Sequence, residues 1–177
     1  ILTTGSQSYL PPITGYGMPG SFVLRTAEDA MAIRAYVQER GARRAVVAGG
    51  GLLGLEAAYG LLKLGLDVTV LERSPALLTR QLDSRGAEIL RNNLEQIGLR
   101  ILMEAEVSAM EAGGNNAALE KVTLVDGSEL ACDLLLVAAG IRPDLYLAHE
   151  IGLSVALGVL VDEQMRHRQF LLGGVLI

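Results

Sequence analysis

Aliphatic runs and helical patterns alternate along the central part of the chain. Continuous apolar runs stand at Ala45–Ala48, in "DVTVLE" and in "LRILM", and a last one follows at Leu134–Ala138. Between the first three runs, apolar residues recur at helical spacing from about Leu52 to Leu64 and from about Asp83 to Ile97. Strands that are buried on both faces consist of unbroken aliphatic residues, so this βαβαβ order predicts a parallel sheet.

Two helices have clear end signals and apolar faces. Thr26 is suited to cap the start of the first helix, with Asp29 three residues later, and Gly41 is suited to end it. The apolar stripe of this helix comprises Ala30, Ile33 and Val37. In the helix that ends before Gly98, the residues predicted to face inward are Ile89, Leu90, Leu94 and Ile97.

The pattern changes after the third strand. The segment "EVSAMEAGGNNAALEKVTLVDGSEL" contains three short strand patterns, and "GGNN" and "DGS" between them are strong turn signals. An antiparallel excursion therefore interrupts the parallel sheet before its last strand. The fold class predicted is α/β: a Rossmann-like parallel sheet with a small antiparallel β-meander, in three layers.

Composition narrows the function classes. The 177 residues are 50% hydrophobic and 4% aromatic with no Trp, and the formal net charge is −5. An acidic chain with few aromatic side chains is a poor partner for nucleic acid. No apolar run is long enough to span a membrane, so a cytoplasmic location is expected. Cys132 stands alone and is expected to be a buried structural thiol, and neither His149 nor His167 has metal-ligand spacing, so no metal site is expected.

The glycine pattern after the first of these strands predicts a phosphate site. Gly49, Gly51 and Gly54 follow a G-x-G-x-x-G spacing between a strand and a helix, and Leu52 and Leu53 open that helix. Gly49 allows the tight turn, Gly51 lets a pyrophosphate approach the backbone, and Gly54 allows close packing of helix on strand. Unpaired N–H groups and the helix dipole favour an anion there. The alternative is a compact turn without a ligand.

An acidic residue at the end of the next strand supplies the second half of the pattern. Glu72 lies 18 residues after Gly54, where a carboxylate accepts hydrogen bonds from an adenosine ribose and repels a 2′-phosphate. This arrangement favours NAD(H). Arg73 and Arg80 are close enough along the chain to reach a 2′-phosphate, so NADP(H) stays an alternative.

Four segments resemble, in the same order, the FAD-dependent pyridine nucleotide-disulfide oxidoreductases. They are "TTGS", "RTAEDA", "GGGLLGLEAA", and "LLVAAGIRPD" followed by "GVLVDEQMR". Within that family, "GGGLLGLEAA", "RQLD" and "DGSEL" are most similar to the reductase portion of the large subunit of NAD(P)H nitrite reductase. The resemblance covers residues 1 to about 166.

The resemblance implies a division of the chain and two further site residues. Residues 1–25 would connect from a missing FAD domain, residues 26–142 would form the NAD(P)-binding domain, and residues 143–177 would return toward the FAD domain. Glu56 matches the family position near the nicotinamide, and Gly140 would let the backbone approach the nucleotide. No catalytic residue is assigned.

The implied function is that of one part of a larger enzyme. The whole protein would pass hydride from NADH to FAD and then electrons to an acceptor that this chain does not identify. This chain has no redox-active cysteine pair and lacks the FAD-binding βαβ unit of the family, and its tail "HRQFLLGGVLI" departs from the family pattern. We therefore expect the isolated chain to be inactive, with NADH and the FAD domain of the same polypeptide as its partners.

Other functions stay open from the sequence alone. Within the family, the alternative is a flavoprotein reductase that serves rubredoxin or ferredoxin. Outside it, the same nucleotide domain occurs in NAD-dependent dehydrogenases that carry a separate substrate domain. A non-catalytic nucleotide-binding module is the third alternative, because a Rossmann fold does not by itself imply chemistry.

Overall fold

The computed structural model describes residues 1–114 and 118–167. Part of the predicted "GGNN" turn and the end of the atypical tail, residues 168–177, lie outside the described residues. The chain divides into two units: Leu10–Gly140, and Ile1–Tyr9 together with the residues from Ile141 onward. Boundaries near residues 25 and 142 remain a prediction for the whole protein.

Ten strands and four helices make up the described structure. In chain order they are β1 (Ser6–Ser8), β2 (Ser21–Val23), α1 (Ala27–Arg40), β3 (Arg44–Ala48), α2 (Leu52–Lys63), β4 (Asp67–Glu72), α3 (Ser84–Gln96), β5 (Arg100–Met103), β6 (Val107–Gly113), β7 (Ala118–Leu124), β8 (Glu129–Ala131), β9 (Leu134–Val137), β10 (Ile141–Pro143) and α4 (Tyr146–Glu150).

The larger unit is built on a five-stranded parallel sheet with strand order β2-β9-β3-β4-β5. At its centre, Val47 of β3 pairs with Val70 of β4 on one side and with Leu136 of β9 on the other. All three side chains are buried. Residues 10–25 belong to this unit, since β2 forms the edge of the sheet beside β9.

Successive residues of each strand face two different layers. Val47, Val70 and Leu136 pack with the buried faces of α1 and α2. Val46 and Leu135 point the other way and pack with the antiparallel sheet β6-β7-β8. Helices, parallel sheet and β-meander form the three layers, and the predicted fold class is confirmed.

The helix ends agree with the sequence, but two of the predicted inward faces are partly wrong. Thr26 and Asp29 form a capping box, and Gly41 ends α1 in the left-handed conformation. Ala30, in the first turn of α1, is exposed. Ile89 and Ile97 of the α3 region are 54% and 49% exposed.

Geometry explains the α3 difference. The side that packs on the core follows Ala87, Leu90 and Leu94, at helical spacing. Ile89 is one residue away from that stripe, about 100° around the helix, and Ile97 follows the last helical residue.

The smaller unit has little core among its described residues. Strands β1 and β10 pair antiparallel, and the short helix α4 follows. Ala148 is the one hydrophobic side chain of this unit that is buried in the part of the chain described here. Large apolar side chains are instead exposed: Ile141, Tyr146, Leu147, Ile151, Leu157 and Leu160.

Candidate functional site: a glycine turn at the edge of the parallel sheet

Gly49 turns the chain sharply out of strand β3. Its φ of 125° lies where residues with a side chain are strained. A Cβ atom here would stand 2.5 Å from the carbonyl oxygen of Ala138, which follows β9. The Gly49 N–H donates to the Leu71 carbonyl of β4 at 2.8 Å. The turn therefore starts at a fixed point between the ends of three adjacent strands.

Gly54 allows helix α2 to begin directly against that strand end. A Cβ atom on Gly54 would overlap the carbonyl oxygen of Gly49. Ala138 contacts the same position from β9, with its Cβ atom 3.4 Å away. No other residue type fits at position 54 without moving the backbone.

The first turn of α2 presents backbone donors to open space. Gly51 caps the helix without a side-chain bond, and the first helical bond is donated by Leu55 to the Gly51 carbonyl at 2.9 Å. The N–H groups of Leu52, Leu53 and Gly54 precede that bond, as in every helix start. Nothing lies within 4 Å of a Cβ built on Gly51, and the first turn contains no acidic side chain.

Glu72 ends β4 beside this turn, with its carboxylate held by two backbone donors. Oε2 accepts the Gly50 N–H at 2.9 Å, and Oε1 accepts the Ser74 N–H at 2.8 Å. The side chain is half-buried. Each carboxylate oxygen has two lone pairs, so both oxygens retain capacity to accept a hydroxyl group.

Gly50 is a site residue that the sequence pattern did not identify, because it occupies a variable position of G-x-G-x-x-G. It is buried, and a Cβ atom on it would stand 2.8 Å from Cδ2 of Leu77 and 3.0 Å from Cβ of Glu72. The available signal was the uninterrupted run of three glycines, of which the motif needs two.

The other predicted site residues lie nearby or outside this cluster. Gly140 follows β9 at the same sheet edge, with a φ of 107° and open space at its Cβ position. Glu56 is exposed on α2, and Arg73 and Arg80 are exposed after β4. Within the described residues no hydrogen bond or ion pair joins Glu56, Arg73 or Arg80 to the glycine turn.

Cys132 is a structural thiol, as the sequence predicted. It is fully buried next to β9, and its Sγ donates to the Leu134 carbonyl at 3.0 Å. Burial raises the pKa of this thiol to about 12.

Across residues 1–114 and 118–167, no group of acidic, histidine or cysteine side chains is arranged to hold a metal ion. The same residues contain no helix with the length and apolar character needed to cross a bilayer.

Comparison with known proteins identifies the family. The model of the pyridine nucleotide-disulphide oxidoreductases matches residues 1–170. The chain belongs to this family of oxidoreductases. The matched residues include the glycine turn and Glu72, and the family is named for a pyridine nucleotide.

Three curated relatives illustrate how the match is distributed. The nitrite reductase [NAD(P)H] large subunit of Klebsiella oxytoca is 42% identical over 168 residues, which is 94% of this chain and 17% of the relative. The assimilatory nitrate reductase electron transfer subunit of Bacillus subtilis is 39% identical over 94% of this chain and 21% of its own length. The rubredoxin-NAD(+) reductase of Ectopseudomonas oleovorans is 35% identical over 93% of this chain and 42% of its own.

Solved structures agree with the fold. The NAD-dependent persulfide reductase from A. fulgidus superposes with a TM-score of 0.83 at 32% identity, covering 92% of this chain and 30% of that protein. A ferredoxin reductase from Rhodopseudomonas palustris also gives 0.83, at 28% identity, over 90% and 39%. The chain thus spans about a fifth of the first two curated relatives and under half of these structures.

Proposed function

We propose that this chain is the NADH-binding domain of an FAD-dependent oxidoreductase. The observation that carries this proposal is the start of α2. Its unpaired N–H groups face open space at Gly51, and the Glu72 carboxylate lies at the neighbouring strand end. This pairing of an anion site with a fixed carboxylate matches the pyrophosphate and ribose of a dinucleotide.

Each part of the site has a distinct role in binding. The N–H groups of Leu52 and Leu53 would donate to the pyrophosphate, where the positive end of the helix dipole also attracts it. Glu72 would accept the ribose hydroxyl groups and repel a 2′-phosphate, which favours NADH. Arg73 and Arg80 supply positive charge in the segment that follows this strand, so NADPH is expected to bind more weakly rather than not at all.

Two further residues are proposed to position the nucleotide. Glu56 stands at the family position near the nicotinamide, and Gly140, with open space at its Cβ position, would let the backbone approach the nucleotide. When bound, NADH supplies a hydride from its C4 to N5 of FAD. The chain itself contributes position and electrostatics, and we assign no catalytic residue to it.

The FAD is proposed to lie in another domain of the same polypeptide. The smaller unit exposes Ile141, Tyr146 and Ile151, by 65%, 73% and 52%, and a surface this apolar favours a covering domain. This arrangement also implies that the chain alone binds nucleotide without turnover. We propose a cytoplasmic location for the whole protein.

The electron acceptor is proposed from the relatives' names. Nitrite reductase large subunits are 42% and 41% identical to this chain, against 35% for a rubredoxin reductase. These identities favour a nitrite-reductase-like protein. A reductase for a rubredoxin or ferredoxin is the second candidate, which the ferredoxin reductase superposition supports.

Anaerobic mixing of the full-length protein with NADH tests hydride transfer. The visible absorbance of the flavin should fall after mixing as FAD is reduced. A Gly51→Val variant should retain bound FAD, but its flavin absorbance should fall far more slowly than that of the wild type. A full-length protein that binds NADH without reducing any flavin would contradict the proposal and favour a nucleotide-binding module. A wild-type protein and variant that bleach at equal rates would contradict the assigned site.

A further inference from the structure

Glu72 holds two chain segments together without any nucleotide. Its carboxylate accepts one hydrogen bond from Gly50 in the β3–α2 turn and one from Ser74 in the segment after β4. The Glu72 backbone is fixed as well, because its carbonyl accepts the Ala105 N–H at 3.1 Å. The carboxylate therefore links the glycine turn to a rigid strand end.

Gly50 depends on this contact. Gly50 is buried, and removal of the carboxylate would take away the acceptor of its N–H. Leu77, which is fully buried, packs against the same glycine and leaves no room for a side chain there. Gly50 is thus held in place from β4 and from the segment that follows it.

We propose that Glu72 is a positioning residue for the glycine turn, which it holds through Gly50 so that the N–H groups at the start of α2 point into the anion site. This role rests on the proposed nucleotide site and is additional to contact with the ribose. It makes the pyrophosphate half of the site dependent on the same carboxylate as the ribose half.

The two roles predict opposite results for NADPH. If Glu72 only selects against a 2′-phosphate, its removal relieves repulsion and NADPH should bind more tightly. If Glu72 also positions the turn, the loosened pyrophosphate site offsets that gain. The NADPH affinity of Glu72→Gln and Glu72→Ala should then stay level or fall while the NADH affinity falls about tenfold or more.

Amide hydrogen exchange of the nucleotide-free chain directly tests whether Glu72 holds the glycine turn. In the wild type, the Gly50 and Ser74 amides should be protected. In Glu72→Ala both should exchange on the order of tenfold faster. Glu72→Gln keeps one acceptor oxygen and should give an intermediate result. The matched control is Glu88→Gln, which replaces an exposed carboxylate on α3 with a carboxamide. It should leave the exchange rates of both amides unchanged.

The outcomes separate this proposal from the nucleotide site itself. A Gly50 amide that exchanges freely in the wild type, or equally in wild type and Glu72→Ala, overturns the positioning role. A rise in the NADPH affinity of Glu72→Gln above that of the wild type does so too. If the amides are protected in the wild type and exchange faster in Glu72→Ala, but the wild type binds neither NADH nor NADPH, the positioning role of Glu72 is supported and the proposed function fails.

Discussion

A Cβ atom on Gly54 would overlap the carbonyl oxygen of Gly49, so helix α2 meets the end of strand β3 with no space for a side chain at position 54. Gly60 lies on the same helix with nothing within 4 Å of its Cβ position. Two glycines of one helix therefore have opposite requirements.

Gly54→Ala should lower the free energy of unfolding by about 1 to 3 kcal/mol, because the added methyl group displaces the backbone of the turn. Gly60→Ala should raise it by about 0.5 to 1 kcal/mol, since alanine is the better helix former in open space. Urea denaturation of both variants measures this. Equal effects in the two variants would show that the Gly49–Gly54 contact does not constrain the turn.

Gly51→Val should abolish nucleotide binding with little loss of stability. Gly51 has φ −75° and ψ 176°, an extended conformation that valine adopts, and its side-chain position is open. The isopropyl group would stand where the pyrophosphate approaches. NADH titration should show no saturation, and urea denaturation should give a loss under about 1 kcal/mol. Normal NADH affinity in this variant would contradict the placement of the pyrophosphate.

The double change Arg73→Ala, Arg80→Ala should weaken NADPH about tenfold and change NADH by less than twofold. Both arginines are exposed in the segment after β4, and the 2′-phosphate is the group that distinguishes the two nucleotides. Titrations at low salt measure the effect, since screening reduces it. Arg34→Ala, on the exposed side of α1, is the control. An equal loss for both nucleotides would place the arginines at the pyrophosphate instead.

Asp133 ties the start of β3 to the start of β9. Its Oδ2 accepts the N–H groups of Arg43 and Arg44, at 3.0 and 2.9 Å, and Oδ1 pairs with the Arg44 guanidinium at 2.6 Å. Burial alone would raise the pKa of Asp133, but the hydrogen bonds from Arg44 and Arg43 outweigh burial and lower it below its ordinary value of 3.8.

This lowered pKa sets the direction of a pH effect. The unfolded chain binds the proton more tightly, so the stabilisation from Asp133 is present above its ordinary pKa and is lost as the pH falls through the folded value. Asp133→Asn should lose about 1 to 2 kcal/mol at neutral pH and show a flatter acid limb in urea denaturation. Asp67→Asn, an exposed change at the start of β4, is the control and should keep the wild-type slope.

Cys132 should resist thiol reagents in the native chain. Burial raises its pKa to about 12, so at neutral or mildly alkaline pH the reactive thiolate is scarce as well as inaccessible. Labelling with a chromogenic disulfide reagent at pH 8 should be slow without denaturant and fast in urea. Rapid labelling of the folded chain would show that the segment between β8 and β9 opens readily.

The parallel sheet and meander could be predicted because their signals are local. Aliphatic runs such as the one around Val47 identify buried strands, and the turn residues separate β6, β7 and β8. The outward positions of Ile89 and Ile97 were missed because hydrophobicity alone does not show how wide a face the sheet covers. Helix α4 was missed because its five residues contain no complete apolar period.

The candidate site was predictable as a motif but not as a network. The spacing of Gly49, Gly51 and Gly54 identified the turn, and Glu72 was placed at the next strand end. That Glu72 also bonds to Gly50 depends on side-chain direction and on Leu77 closing over the turn. Such contacts arise from tertiary packing, which the spacing of a motif does not contain.

Titration of NADH and NADPH into the 177-residue chain is the most direct test of the nucleotide site. We predict saturable binding of both, with NADH tighter, and loss of both in Gly51→Val, whose free energy of unfolding should stay within about 1 kcal/mol of the wild-type value. A folded wild-type chain that binds neither nucleotide at millimolar concentration would contradict the site, and tighter binding of NADPH would contradict the role given to Glu72.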